Sequence, residues 1–147
     1  VANIVQEITD GLKAQVATTL PLRTESRYIW DFKKNAFKNN SSLYAIRPSS
    51  GSSVSGTNRT ITVDQGFELI LSTEFKNKGD NDAALDAAIY SLYEDHEAVY
   101  KVWFQRNLAI ARVLVIDSIE LNEPDVDDDN NIVSITARFN VKYRTET

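Results

Sequence analysis

The chain has 147 residues, 42% of them hydrophobic and 25% charged, which is enough for one domain with a core that needs no staples. It contains no cysteine, which excludes a disulfide scaffold, a thiol nucleophile and a zinc–thiolate centre and fits a reducing compartment. The net charge of −5 argues against non-specific binding to DNA or an anionic membrane, and no apolar run approaches the roughly 20 residues that span a bilayer.

The start, Val1 to Glu7, lacks the basic residue and apolar run of a signal peptide. With no methionine in the chain, the initiator is expected to have been removed, and a soluble protein made in the cytoplasm is expected. Residues 2 to 19 place Ile4, Val5, Ile8, Leu12 and Val16 on one helical face and Glu7, Asp10, Lys13 and Gln15 away from it, which predicts an amphipathic helix. Gly11 costs it about 1 kcal/mol against alanine, so packing must hold it, and Pro21 ends it.

From Arg27 to Lys33 the period changes to two. Tyr28, Trp30 and Phe32 lie on one side and Arg27, Asp31 and Lys33 on the other, the pattern of a half-buried strand. Asn35 to Ser42 is turn-rich, and Leu43 to Arg47 predicts a short returning strand. Residues 48–58 then form the most flexible composition in the chain. This loop is longer than most hairpins need, and it reads either as a hairpin tip or as a segment that orders against a partner.

Asn58 to Lys76 predicts a long strand with Ile61, Val63, Phe67, Leu69, Leu71 and Phe75 inward and Thr62, Asp64, Glu68, Ser72 and Glu74 outward. Gly66 within it is expected to mark a bulge. Asp80 to Arg106 is the longest helical pattern, with Leu85, Ala88, Ile89, Leu92, His96, Val99, Val102 and Trp103 on one stripe. Glu97 and Lys101 are spaced and ordered for an ion pair across one turn. Arg112 to Leu121 and Ile132 to Arg144 complete the pattern as strands. In the second, Val133, Ile135, Ala137, Phe139, Val141 and Tyr143 alternate with polar residues, predicting one core face and one wet face. The order α-β-β-β-α-β-β predicts a single α+β domain over residues 1–147: an antiparallel or mixed sheet of about five strands with both helices on one face.

Chemistry is sparse. Asp125, Asp127 and Asp129 sit at positions one, three and five of a calcium loop, but Asn130 replaces the sixth-position glycine and Thr136 the twelfth-position glutamate. The segment also joins strands rather than helices. An acidic loop that guards a sheet edge or meets a partner fits better. His96, the single histidine, falls on the apolar stripe, where a hydrogen-bonded core residue is a better reading than a general base. The Ser/Gly run lacks the lysine of a phosphate loop. Tyr28, Trp30 and Phe32, interleaved with basic residues, could stack bases, but a strand core explains them more simply. No catalytic, cofactor-binding or metal-ligating residues are assigned.

Taken together, the layout resembles the tail terminator, or tail completion, proteins of long-tailed bacteriophages. The resemblance covers nearly the whole chain. It rests on an N-terminal helix, a strand group with a Ser/Gly loop, the passage from Gly66–Phe75 into Asp80–Ala88, one long helix and two final strands ending in Ile132–Arg144. It implies a non-enzymatic structural protein of the virion, at the head-proximal end of the tail, assembled in the host cytoplasm. It further implies a homo-oligomeric ring, usually a hexamer, that caps the tail tube, ends its polymerisation and offers a surface to the head. The implied partners are other copies of the chain, the tail tube protein and a head-completion or neck protein, with DNA only as passing cargo and no membrane. Under this reading Ser49, Ser50, Gly51, Ser52, Ser53, Val54, Ser55, Gly56 and Thr57 are expected to touch a partner. Asp125, Asp127, Asp128 and Asp129 are expected to line the channel or an interface. A neck or head-closure subunit, and a small-molecule-binding or enzymatic α+β domain, remain alternatives.

Overall fold

The computed structural model describes residues 3–26, 42–49, 53–75, 81–104, 113–127 and 131–146. The strand expected at Arg27–Lys33 and the turn expected at residues 76–79 lie outside them. So do Ser50, Gly51, Ser52, Asp128 and Asp129.

Helix α1, Ile4–Thr19, starts where Asn3 adopts an extended backbone and its side chain accepts from the Gln6 N–H, satisfying one free donor of the first turn. Ile8, Leu12 and Val16 are buried, the face that the spacing predicts. The helix stops at Leu20, whose N–H still reaches the Val16 carbonyl, because Pro21 follows. Helix α2, Asn81–Trp103, is about 35 Å long. Ala88, Leu92, His96, Val99 and Trp103 are buried along it, while Tyr90, Glu94, Glu97 and Lys101 face out.

The strands are β1 (Thr24–Glu25), β2 (Ser42–Pro48), β3 (Ser53–Gly56), β4 (Thr60–Glu74), β5 (Val113–Leu121), β6 (Asp125–Asp127) and β7 (Ile132–Glu146). They form one sheet in the order β1-β2-β4-β7-β5, with β3 also on β4 and β6 also on β7. Only β1–β2 is parallel; the other pairs are antiparallel. The fold is thus a single α+β domain with a mixed sheet. The described residues hold seven strands rather than the five expected, but β2 and β3 share one side of β4, and β5 and β6 one side of β7. The sheet is therefore five positions wide. Alternation over four or more residues reveals a strand, whereas β1, β3 and β6 are too short to show one.

The spine is the β4–β7 ribbon, paired without a break from Thr60↔Glu146 to Glu74↔Ile132. The bulge expected at Gly66 is absent, since Gly66 pairs regularly with Asn140. Gly66 instead marks where β4 changes partner: β2 reaches as far as Phe67, β3 begins at Asp64, and the Ser49 N–H donates to the Gly66 carbonyl between them. The irregularities lie in β5, between Val113 and Val115 and between Asp117 and Glu120.

Both helices cover one face. Ile8, Leu12 and Val16 of α1 and Leu92, Val99 and Trp103 of α2 join Phe67, Leu69, Leu71, Ile135, Phe139 and Val141 in one core. Phe139 stacks on Phe67 at a centroid distance of 5.9 Å and meets Trp103 at 4.6 Å. The other face was expected to be wet throughout. At one end it is dry: Leu43, Ala45, Ile70 and Ile132 form a second buried group, beside the buried and mutually bonded Ser72 and Ser134 hydroxyls. Alternation tells which face a side chain takes, not whether that face is covered. Among the described residues no helix is long and apolar enough to cross a membrane.

Candidate functional site

The Ser/Gly segment contains structure that its composition hides. Ser49 is tied to β4 at its carbonyl, which accepts from the Gln65 Nε2 at 2.9 Å. Ser53, Val54, Ser55 and Gly56 form β3, in register with Asp64, Val63, Thr62 and Ile61. Thr57 closes the tight return: its N–H donates to the Thr60 carbonyl at 2.8 Å, and its hydroxyl lies 3.2 Å from that of Thr60. All four β3 residues are exposed, Val54 at 66%. What was expected as an open loop is thus, from Ser53 onward, an exposed hairpin arm.

Asp125 and Asp127 are held differently from a metal loop. They flank Val126 in β6, opposite Ser134 and Ile132, and Val126 packs against the core. The two carboxylates therefore leave the strand on the face away from the helices. The turn beyond uses Asn131 at φ 54°, a left-handed conformation that asparagine tolerates, and its carbonyl accepts from the Phe75 N–H. No cluster of three or more His, Asp or Glu suited to a metal ion occurs among the described residues. The structure does not bring the two expected segments together: β3 flanks one end of the ribbon and β6 the other, about 30 Å apart at about 3.4 Å per residue.

The buried polar groups serve the fold. His96, 1% exposed, has Nε2 3.0 Å from the Ile135 carbonyl oxygen and Nδ1 3.0 Å from the Tyr100 hydroxyl. A carbonyl can only accept, so Nε2 carries the proton and Nδ1 accepts from Tyr100. Burial pushes His96 down to about 4, against the opposing pull of the Ile135 hydrogen bond, and burial raises the Tyr100 hydroxyl. A neutral imidazole with both nitrogens engaged pins α2 to β7 and has no site left for proton transfer. Arg23, which the sequence reading passed over, is buried. It donates to Asp95 Oδ2 at 2.8 Å, to the carbonyls of Leu43 and Ser72 at 3.2 and 2.9 Å, and to the Thr73 hydroxyl at 3.1 Å. One guanidinium thus ties the turn after α1 to α2, β2 and β4, and burial lowers its pKa from the ordinary value despite Asp95.

A second arrangement that sequence reasoning missed crosses the sheet on the face away from the helices. Arg47, Glu68, Arg138 and Glu120 occupy one register row over β2, β4, β7 and β5. Arg47 Nη2 lies 3.1 Å from Glu68 Oε2, and Arg138 Nε lies 3.5 Å from Glu68 Oε1. The only available signal was that Glu68 and Arg138 fall at outward positions; the register that joins the row is not written in any one segment. No protein-family model matches the chain, and no curated protein matches it.

Proposed function

We propose that this protein is a tail terminator of a long-tailed bacteriophage: a ring of identical subunits that caps the finished tail tube, stops further addition of tube protein and presents a surface to the head. The observation that carries the reading is the layout, in which an N-terminal helix and one long helix lie on one face of a mainly antiparallel sheet. Such a protein needs a rigid body and edges or faces for its neighbours, not reactive groups. The engagement of His96 and Arg23 inside the body suits that need. In this role the β3 arm and the preceding Ser49–Ser52 segment meet tube or neck protein. The acidic run from Asp125 to Asp129 lines the channel, where like charge keeps passing DNA from adhering, or lies between copies.

Electron microscopy of particles assembled with the gene disrupted tests the proposal. Overlong tubes without heads are expected. Tails of normal length that fail to join heads would move the protein to the neck or head-closure position, and intact infectious particles would overturn both assignments.

A further inference from the structure

Short length, charge and irregular pairing each guard a sheet edge against a further strand. On one side of the sheet β1 lies outside β2 at Leu43 and Tyr44. It is two residues long, and its Glu25 is ion-paired with Lys13 at 2.7 Å. On the other side β5 is irregular and carries Asp117 and Glu120, while β6 is three residues long and carries Asp125 and Asp127. The β3 arm has neither charge nor irregularity. Ser53–Gly56 is free of proline, pairs regularly with β4 and is exposed throughout. β1 does not reach it.

The direction of its main-chain groups follows from the return at its end. The Thr57 N–H donates to the Thr60 carbonyl, so those two residues are a bonded pair. Bonded and non-bonded pairs alternate along an antiparallel ladder, which makes Gly56↔Ile61 and Val54↔Val63 non-bonded pairs. The bond from the Ser49 N–H to the Gly66 carbonyl fixes the same phase along β4. The N–H and C=O groups of Val54 and Gly56 therefore point away from β4, where no strand meets them among the described residues. The fold also has no need of glycine at position 56. A Cβ there would come no closer than 3.5 Å, to the Thr60 carbonyl oxygen. Glycine within a regular strand is a common mark of another backbone close by.

We infer that β3 pairs with β3 of a second copy, antiparallel about a two-fold axis at Ser55, so that one sheet runs through both copies. Val54 of each copy then exchanges main-chain hydrogen bonds with the partner's Gly56, which occupies the outward groups of both residues. Val54 and Gly56 share the helix-covered face, so each Val54 side chain covers the partner's bare Gly56. No like charges meet, because the strand has none. The partner runs in reverse, and its β2 and β1 fall clear of the first copy. β2 begins level with Phe67; reflected about Thr62, which lies opposite Ser55, that level falls past Thr60, where β4 begins. A second copy is favoured over a foreign strand because one register satisfies the free groups of both partners at once.

The contact is isologous and closes at two copies. It is therefore distinct from the contacts that close a ring, and it does not rest on the terminator reading. A tube or neck protein that takes the arm would displace the second copy.

Sedimentation of the full-length chain up to about 1 mM tests the contact, beside Val54→Pro and Val54→Thr and with a melting curve for each. Proline at position 54 removes an N–H that the hairpin does not use, so the fold tolerates it, but the added strand loses a bond in each copy. The native chain and Val54→Thr are expected to form dimers, with little change between about 50 mM and about 0.5 M salt because the strands are uncharged. Val54→Pro is expected to weaken the dimer about tenfold or more at an unchanged melting temperature. Amide exchange of the native chain gives a reading that needs no variant: protection at Val54 and Gly56 should rise with protein concentration, while Ser55, already bonded to β4, should change little. A chain that stays monomeric, or protection at Val54 and Gly56 that ignores concentration, overturns the contact. Association that Val54→Pro leaves intact also overturns it, and the tail-length experiment still decides the function separately.

Discussion

His96 shows how much one side chain can couple stability to pH. Its folded-state pKa lies near 4 against an ordinary 6.5, because burial strips water from the charged ring and the nearby Arg23 charge adds to the cost. The unfolded chain therefore binds a proton first as pH falls. The contribution of the neutral ring is complete above about 6.5, declines between about 6.5 and 4, and changes no further below that. Over that window it amounts to about 3 kcal/mol. Urea unfolding of the native chain from pH 7 to pH 4 should show that loss, and His96→Gln should flatten this part of the profile. A variant with the same pH slope as the native chain would mean that His96 is charged in the fold. The sequence placed this residue on the apolar stripe and supported a core role, but its partners Ile135 and Tyr100 emerge only from the packing. Arg23 is the converse case: nothing about an arginine two residues after Pro21 signals that two strands and a helix will close around it.

At the scale of the element, α2 separates what periodicity decides from what propensity decides. Leu92 is fully buried, and Tyr90, two positions earlier, is 67% exposed. Leu92→Ala should cost about 3 kcal/mol through lost burial and the cavity left behind, and Tyr90→Ala should stay within about 0.5 kcal/mol. Equal losses on chemical denaturation would contradict this orientation of the helix. The Glu97–Lys101 pair is present at 3.3 Å, but both side chains are largely exposed, so it adds little. The long strands were legible for the same reason as α2, because Val63 to Phe75 and Val133 to Tyr143 repeat their alternation many times. The β3 arm was not. Four residues of Ser, Val, Ser and Gly have too little pattern and too much turn composition, and they are a strand because β4 extends past the end of β2 and leaves a place beside it.

For the molecule as a whole, stability is concentrated along the β4–β7 ribbon, which is flanked by strands on both sides and covered by helices on one face. Amide hydrogen exchange, run dilute enough to keep copies apart, should find the slowest protons at Phe67–Leu71 and Ile135–Val141, near the global unfolding limit. The β3 arm should exchange fastest among the strands. Uniform protection across β3 and β4 would show that the arm is part of the cooperative core. The same ribbon organises the exterior, since register along it sets Arg47, Glu68, Arg138 and Glu120 in one line and Val54 level with Val113.

The sequence by itself determined the two helices, the long strands, the face each presents to the core and the α+β class, because each of these follows from spacing within one segment. Only the tertiary structure decided the strand order and the partner change at Gly66. It also decided the dry end of the outer face, the burial of Arg23 and the charge row across four strands. These depend on which segments become neighbours and in what register, and pairing between residues far apart in the chain leaves no mark on the local period of either one.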